Sequence, residues 1–274
     1  IPVEKDFTRY GAFVSFFPQL VAGPLVRAKL FLPQLLADRA ITRAGIADGA
    51  MQFFRGFVLK VCFADVLAVS LVDPIFAHPA NYSSVELYMA VFGYGAQIFC
   101  DFAGYSLMAI GLARAFGFEF PMNFNYPYLA SGFSDFWRRW HITLSTWLRD
   151  YLYISLGGNR GSEWNTYRNL MLTMVLGGLW HGAAWTFVIW GGLHGVYLVL
   201  QQAWQRLFGA APGFSWLRWW PAWWSTLLTF LAVMLAWIFF RAPDVATAWD
   251  ITGALVGANG VSLPRGLASV SVQS

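Results

Sequence analysis

Charge is scarce: Asp, Glu, Lys and Arg make up 12% of the 274 residues, about half the roughly 25% of an ordinary soluble domain. That excludes a water-soluble globular protein of usual composition. Eighteen Lys and Arg against fourteen Asp and Glu leave a net charge of +4, too little for a nucleic-acid footprint, so the basic excess reads as membrane topology. Cysteine is nearly absent. Cys62 and Cys100 both lie in apolar stretches, which excludes a disulfide framework and a cysteine metal site. No glycine-rich phosphate loop, nucleophile elbow or metal-ligand cluster occurs, so no metal is expected. No signal peptide is expected in the stretch that opens the sequence, because Ile1 runs directly into Lys5, Asp6 and Arg9 and is not an initiator methionine. The chain is therefore expected to be part of a longer polytopic protein.

What is abundant is apolar: 58% of residues are hydrophobic and 19% aromatic. No Asp, Glu, Lys or Arg interrupts the 37 residues between Arg168 and Arg206 or the 22 between Arg218 and Arg241. As one helix the first run would measure about 55 Å, nearly twice the roughly 30 Å hydrocarbon core, so it is expected to form two spans dividing between His181 and Trp190. Further spans are expected over Ala50–Phe76, Val85–Arg114 and Pro221–Phe240, with Phe7–Val21 a short or tilted one. The total is about five or six crossings. The basic connector from Leu25 to Asp48 belongs in the cytoplasm by the positive-inside rule, and the uncharged connector from His78 to Ser84 belongs outside. The proline- and asparagine-bearing stretch from Pro121 to Ala130 predicts irregular backbone packed against protein. From Ser131 to Tyr151 apolar residues recur every three or four positions, opposite a face bearing Asp135, Arg138, Arg139 and Ser145. That pattern predicts an amphipathic helix at the headgroup boundary. Gly157, Gly158 and Asn159 predict a turn, and Arg206 to Arg218 a connector. The fold class is thus all-α: a polytopic transmembrane helical protein with an interfacial amphipathic or re-entrant helix.

Histidine is the main candidate for chemistry. His181 lies within the longest uncharged run, flanked by Gly177, Gly178, Gly182, Ala183 and Ala184. An ionisable group inside a membrane is a functional candidate by default, and a neutral imidazole can act as general base for a hydroxyl. A helix rising from Asn169 would carry His181 about 18 Å, past mid-membrane. Trp180 and Trp185 would shape its pocket. The competing reading is a buried histidine that merely ties two helices together, and on physics alone the two are evenly matched. His141, on the amphipathic helix, either steers an anionic donor or is an ordinary interfacial residue. Arg138 and Arg139 either contact donor phosphates or pair with Asp135 along the helix, the cheaper reading. Asp101, Asn123 and Asn125 either line a polar tunnel or satisfy irregular backbone. His194 is read as structural, bonded to a neighbouring backbone carbonyl, and His78 as a solvated loop residue.

Two stretches carry a resemblance: DFAGYSLMAIGLARAFGFEFPMNFNYPYLASGFSDFWRRWHITLSTWLRDYLYISLGGNR, from Asp101 to Arg160, and LGGLWHGAAWTFVIWGGLHG, from Leu176 to Gly195. With FFPQLVAGP (Phe16–Pro24) and FFRAP (Phe239–Pro243), they closely resemble the membrane-bound O-acyltransferase family, in the bacterial branch that O-acetylates alginate. The resemblance implies a helical fold with a membrane tunnel, catalysis by the WHG histidine, His181, and a second retained histidine, His141, near the cytoplasmic side. On the residue readings above, Asp101, Asn123, Asn125, Arg138, Trp180 and Trp185 are the candidate substrate contacts. The resemblance also implies an acyl thioester donor, acetyl-CoA being the simplest, with no tightly bound cofactor. The acceptor would be a hydroxyl of an extracytoplasmic polysaccharide, and periplasmic polysaccharide-acetylation proteins and membrane lipids would be the partners. The location is the bacterial inner membrane, multi-pass. Residues 1–274 would be one membrane-embedded acyltransferase core, with N- and C-terminal family segments beyond it. One departure stands out: where the family commonly reads GYSDMA, this chain has Leu107.

Three readings follow. In the favoured one, donor thioester approaches near His141, while His181 deprotonates a hydroxyl of alginate, peptidoglycan or another exopolysaccharide. The second is a polysaccharide export or transport subunit with Asp101 and His181 as a proton relay. The third is an inactive family member that scaffolds a complex.

Overall fold

The structure is a computed structural model that describes residues 4–20, 23–38, 40–208 and 223–260. Among these every regular element is helical. Ten helices organise the described residues: α1 (Phe7–Ser15), α2 (Ala28–Leu36), α3 (Arg43–Val58), α4 (Ser84–Ala115), α5 (Phe133–Arg139), α6 (Ile142–Trp147), α7 (Glu163–His181), α8 (Trp185–Phe208), α9 (Trp223–Arg241) and α10 (Val245–Leu255). After α3 the chain stays helical through wide turns at Leu59–Ala64 and Ala68–Val72 and a short helix at Asp73–Ala77. Among the described residues two helices, α4 and α9, are long and apolar enough to cross a membrane. Much of the outward surface is apolar, including Phe54, Val69, Leu200 and Leu207, the side chains a lipid-facing helix exposes and a soluble one keeps few of.

The chain forms two compact units. The first comprises Ile1–Val66, Ile98–Asn125 and Arg139–Thr146. Its aromatic core gathers Phe13 and Phe16 around Phe31, Phe118 and Phe120, with Phe31 stacked on Phe118 at 4.9 Å. Here α3 runs antiparallel to the later part of α4 along a glycine seam. A Cβ on Gly49 would stand 2.5 Å from the Gly111 carbonyl oxygen, and one on Gly56 would stand 2.4 Å from that of Gly104. Only hydrogen at these positions lets the backbones meet, as in tightly packed membrane helices.

The second unit comprises Leu67–Gln97, Tyr126–Arg138 and Trp147–Ser274. The α7–α8 hairpin is its centre. Ser162 caps α7 by accepting from the Asn165 N–H, a first-turn N–H with no carbonyl partner inside the helix. The preceding turn places Gly157 and Gly158 at φ +108° and +56°, the left-handed region that glycine enters without a Cβ clash. The two helices cross where Gly178 meets Phe187 and Gly191 meets Met174. Trp237 of α9 stacks on Trp190 of α8 at 5.9 Å. Arg241 reaches Asp73 at 2.6 Å, and the Ser84 hydroxyl donates to the Ala254 carbonyl at 2.6 Å.

Several expectations are met: the irregular stretch after Gly117, the glycine turn, and the division of the long uncharged run, which falls at Gly182–Ala184. Others need correction. The helix expected to be continuous from Ser131 to Tyr151 is broken, because His141 has φ +44° and α6 starts anew after it. α7 begins at Glu163, not Asn169, so His181 is its last residue and lies about 27 Å along it at 1.5 Å per residue. α1 has nine residues, about 14 Å, too short to cross a bilayer. Among the described residues two helices have the length and composition of a membrane crossing, where five or six crossings are expected over the chain. Most of the Arg206 to Arg218 connector and the start expected for the last span at Pro221 lie outside the described residues.

Candidate functional site

In the first unit the break at His141 has a cause that lies eighteen positions back along the chain. Starting α6 leaves first-turn N–H groups in need of acceptors, and Asn123 supplies them. Its backbone carbonyl accepts from the Ile142 N–H at 2.9 Å. Its side-chain oxygen accepts from the Thr143 N–H at 3.3 Å and the Thr143 hydroxyl at 2.9 Å. The same oxygen lies 3.1 Å from His141 Nδ1. Because a backbone N–H only donates, the Asn123 atom facing Thr143 is the oxygen, and His141 Nδ1 must therefore carry the proton. That assigns the tautomer and makes Nε2 the accepting nitrogen of the neutral ring. Asn123 Nδ2 donates to the Ser106 hydroxyl at 3.1 Å, and Phe102 stands edge-on to the imidazole at 4.5 Å. Ser106, Asn123, His141 and Thr143 are all buried. The structure thus brings two expected site residues, His141 and Asn123, into direct contact.

The other residues expected in this unit stand apart from that cluster. Asp101 pairs with Lys60 at 2.6 Å, and Lys60 also holds Asp65 at 2.6 Å, so the acid deep in α4 is neutralised by a cation. Asn125 is exposed and engages through its backbone, its N–H donating to the Arg139 carbonyl at 2.9 Å. Leu107 lines a cavity of about 400 Å³ together with Asp48, Gln52, Arg55 and Arg114. In that cavity Arg114 reaches Asp48 at 3.0 Å.

In the second unit His181 closes α7. Its ring stands edge-on to Trp190 at 5.2 Å and 89°, to Phe240 at 5.2 Å and 78° and to Trp180 at 5.1 Å and 70°. Phe187 adds a fourth wall at 6.4 Å. The imidazole nitrogens have no hydrogen-bond partner among the described residues. Of the two tryptophans expected to shape this pocket, Trp180 touches the ring while 62% exposed, and Trp185 is 75% exposed and makes no ring contact with His181. Trp190, Phe187 and Phe240 were not anticipated. Phe240 sits in the FFRAP run and Trp190 beside the WHG histidine's run, so the signal was present in the quoted motifs, but not the geometry. Arg138 is 72% exposed and lies 3.5 Å from Asp135 one turn before it, the intrahelical pairing read as the cheaper option.

His194 departs from expectation in its bonding alone. It is fully buried, yet neither ring nitrogen has a hydrogen-bond partner among the described residues, so the expected backbone carbonyl does not receive it. His78 is exposed, as expected. Among the described residues no three His, Cys, Asp or Glu side chains group so as to hold a metal ion.

Chemically, His181 offers an unengaged imidazole in an apolar wall, and His141 offers one held in a set tautomer by a buried amide. Residues 4–242 match the membrane-bound O-acyltransferase family. The chain is 46% identical over 254 residues to "Probable alginate O-acetylase AlgI" of Azotobacter vinelandii, covering 93% of this chain and 49% of that protein. It is 47% identical over 255 residues to the protein of the same name from Pseudomonas aeruginosa, covering 93% and 47%. It is 44% identical over 261 residues to "Peptidoglycan O-acetyltransferase" of Helicobacter pylori, covering 94% and 48%. The chain spans about half the length of the curated relatives it matches. On a match that runs through both units, the chain belongs to the membrane-bound O-acyltransferase family.

Proposed function

We propose that this chain is a membrane-embedded core of an O-acetyltransferase that passes an acetyl group from a cytoplasmic thioester, acetyl-CoA in the simplest case, to hydroxyls of an extracytoplasmic polysaccharide. Alginate is the acceptor favoured by the names of the Azotobacter and Pseudomonas relatives. A peptidoglycan sugar is the second reading, favoured by the Helicobacter relative. The protein is a multi-pass component of the bacterial inner membrane, working with periplasmic polysaccharide-acetylation proteins, with α5 and α6 at the cytoplasmic interface. The observation that carries the reading is His181: an imidazole at the end of a largely apolar helix, edge-on to three rings, with no hydrogen-bond partner among the described residues.

The imidazole of His181 takes the proton of the acceptor hydroxyl, whose oxygen attacks the thioester carbonyl carbon. The carbon–sulfur bond breaks, the ester forms, and the departing thiolate takes the proton back. His141, with Arg138 nearby in sequence, attends the donor. Asp101, Asn123 and Asn125 line the donor's route, and Trp180 and Trp185 border the acceptor side. An export role for the same chain asks Asp101 to exchange protons. Its ion pair with Lys60 disfavours that.

The test is the O-acetyl content of polysaccharide secreted by cells carrying the full-length parent protein, wild type against His181→Ala at matched membrane levels. Loss of ester with normal polymer supports the assignment. Unchanged ester removes His181 from catalysis, and loss of the polymer itself favours export.

A further inference from the structure

His194 sits at the centre of α8 with no exposed surface. A neutral imidazole carries one N–H and one lone pair, and burying both without partners is costly. A leucine or phenylalanine would fill the same space without that penalty. The cage explains part of it. Trp137 lies at 5.1 Å and 75°, Trp190 at 5.0 Å and 67°, and Tyr197 at 5.8 Å and 76°, all edge-on, while Phe136 stacks at 5.9 Å and 11°. Edge-on contact lets one ring's positive edge meet the next ring's negative face, where an imidazole N–H is a better donor than a C–H. The indole nitrogens of Trp137 and Trp190 also lack hydrogen-bond partners among the described residues. Three polar groups therefore share one apolar cage.

Trp190 belongs to two environments. One neighbour is His194 at 5.0 Å, another is His181 at 5.2 Å, and Trp237 stacks on it at 5.9 Å. No hydrogen bond within the described residues holds the His181 ring, so its orientation depends on the rings against its edges. Any tilt of Trp190 is passed to His181. We propose that His194 is a positioning residue of the acyl-transfer site: through its contact with Trp190 it sets the plane of that indole and so the direction in which the His181 nitrogens point. This rests on the reading of His181 as the general base. Misplacing a reacting group by 1 Å costs on the order of 10²-fold in rate, so a modest loss of orientation is readable in kcat.

The experiment uses membranes carrying the full-length parent protein, labelled acetyl-CoA as donor and an alginate oligosaccharide as acceptor. The variants are His194→Phe, which keeps the ring and loses its nitrogens, His194→Gln, which keeps a donor and an acceptor, Trp190→Phe, and the double variant His194→Phe/Trp190→Phe. At matched protein level, His194→Phe is expected to lower kcat at least tenfold with donor KM within twofold, and His194→Gln to recover part of the loss. The double variant is expected to be no worse than Trp190→Phe alone, because both act along one path. Unchanged kcat in His194→Phe, or losses that multiply in the double variant, overturns the proposal. If His194→Phe does not accumulate, Trp190→Phe decides: retained kcat overturns it and a tenfold loss with unchanged KM supports it. His181→Ala is run in parallel. If that variant still transfers acetyl, the general-base reading has failed. If it is inactive while His194→Phe is normal, only the positioning role has failed.

Discussion

One side-chain oxygen of Asn123 serves both His141 Nδ1, at 3.1 Å, and the Thr143 hydroxyl, at 2.9 Å. The contact sets the imidazole tautomer and starts a helix at once, so a local packing device and a candidate chemical group depend on the same amide.

Replacing Asn123 with Ala strands a buried hydroxyl, a backbone N–H and the imidazole N–H together. Thermal unfolding of the full-length protein in detergent is expected to show a loss of about 3 kcal/mol, taking a buried unpaired polar group at roughly 1–3 kcal/mol with partial rescue by water. Asn123→Asp keeps the acceptor and loses only the donation to Ser106, so it is expected to fall between the two. Equal stability of Asn123→Ala and wild type would show that the cluster contributes nothing.

The α7–α8 crossing has a built-in control. A Cβ on Gly178 would stand 2.3 Å from the Phe187 carbonyl oxygen and one on Gly191 2.4 Å from that of Met174, whereas Gly192 has nothing within 4 Å. Gly178→Ala and Gly191→Ala are expected to destabilise by about 1–3 kcal/mol through forced backbone separation. Gly192→Ala is expected to be neutral or slightly stabilising, since alanine favours helix over glycine. Membrane accumulation and thermal midpoint of the three variants check the order.

Leu107 shares its cavity with Arg55 and Arg114. Leu107→Asp introduces a carboxylate beside two guanidinium groups and is expected to be more stable than Leu107→Asn by about 0.5 kcal/mol at low salt, with the difference shrinking as salt rises. A difference that ignores salt would mean that no ion pair forms.

Asp244 caps α10, its carboxylate accepting from the Thr247 N–H at 2.8 Å. This bond holds its carboxyl below the usual carboxylate range. A depressed folded-state pKa contributes stability above the ordinary carboxylate pKa and loses it as pH falls through the depressed value. In acid titration of thermal stability, Asp244→Asn is expected to lose less than wild type below about pH 4. Parallel curves would remove the cap from the acid response.

Two members of the candidate site's clusters were legible in the sequence. His181 stood out because an imidazole in a long uncharged run has few inexpensive places to be, and the irregular stretch around Asn123 was announced by Pro121 and Pro127. The partners of these residues were not readable. Trp190 and Phe240 look in sequence like two more apolar residues among many, and no periodicity says that positions nine and 59 residues further along the chain, on two other helices, will meet the same imidazole. The break at His141 was hidden for a related reason: the apolar spacing continues across it, while the acceptors that compensate for it come from Asn123.

The amino-acid order settled the helical class of the molecule, since uninterrupted uncharged runs of 37 and 22 residues satisfy their backbone in lipid within single helices rather than as the short alternating strands of a barrel, and a helix must divide wherever such a run exceeds the bilayer thickness. The pairing of Asp101 with Lys60, the tautomer of His141, the unpartnered burial of His194 and the ring that links it to His181 came from the packed fold. Those are relations between residues distant along the chain, and a hydrogen bond or an edge-on contact exists only once the intervening backbone has brought its two members within a few ångströms.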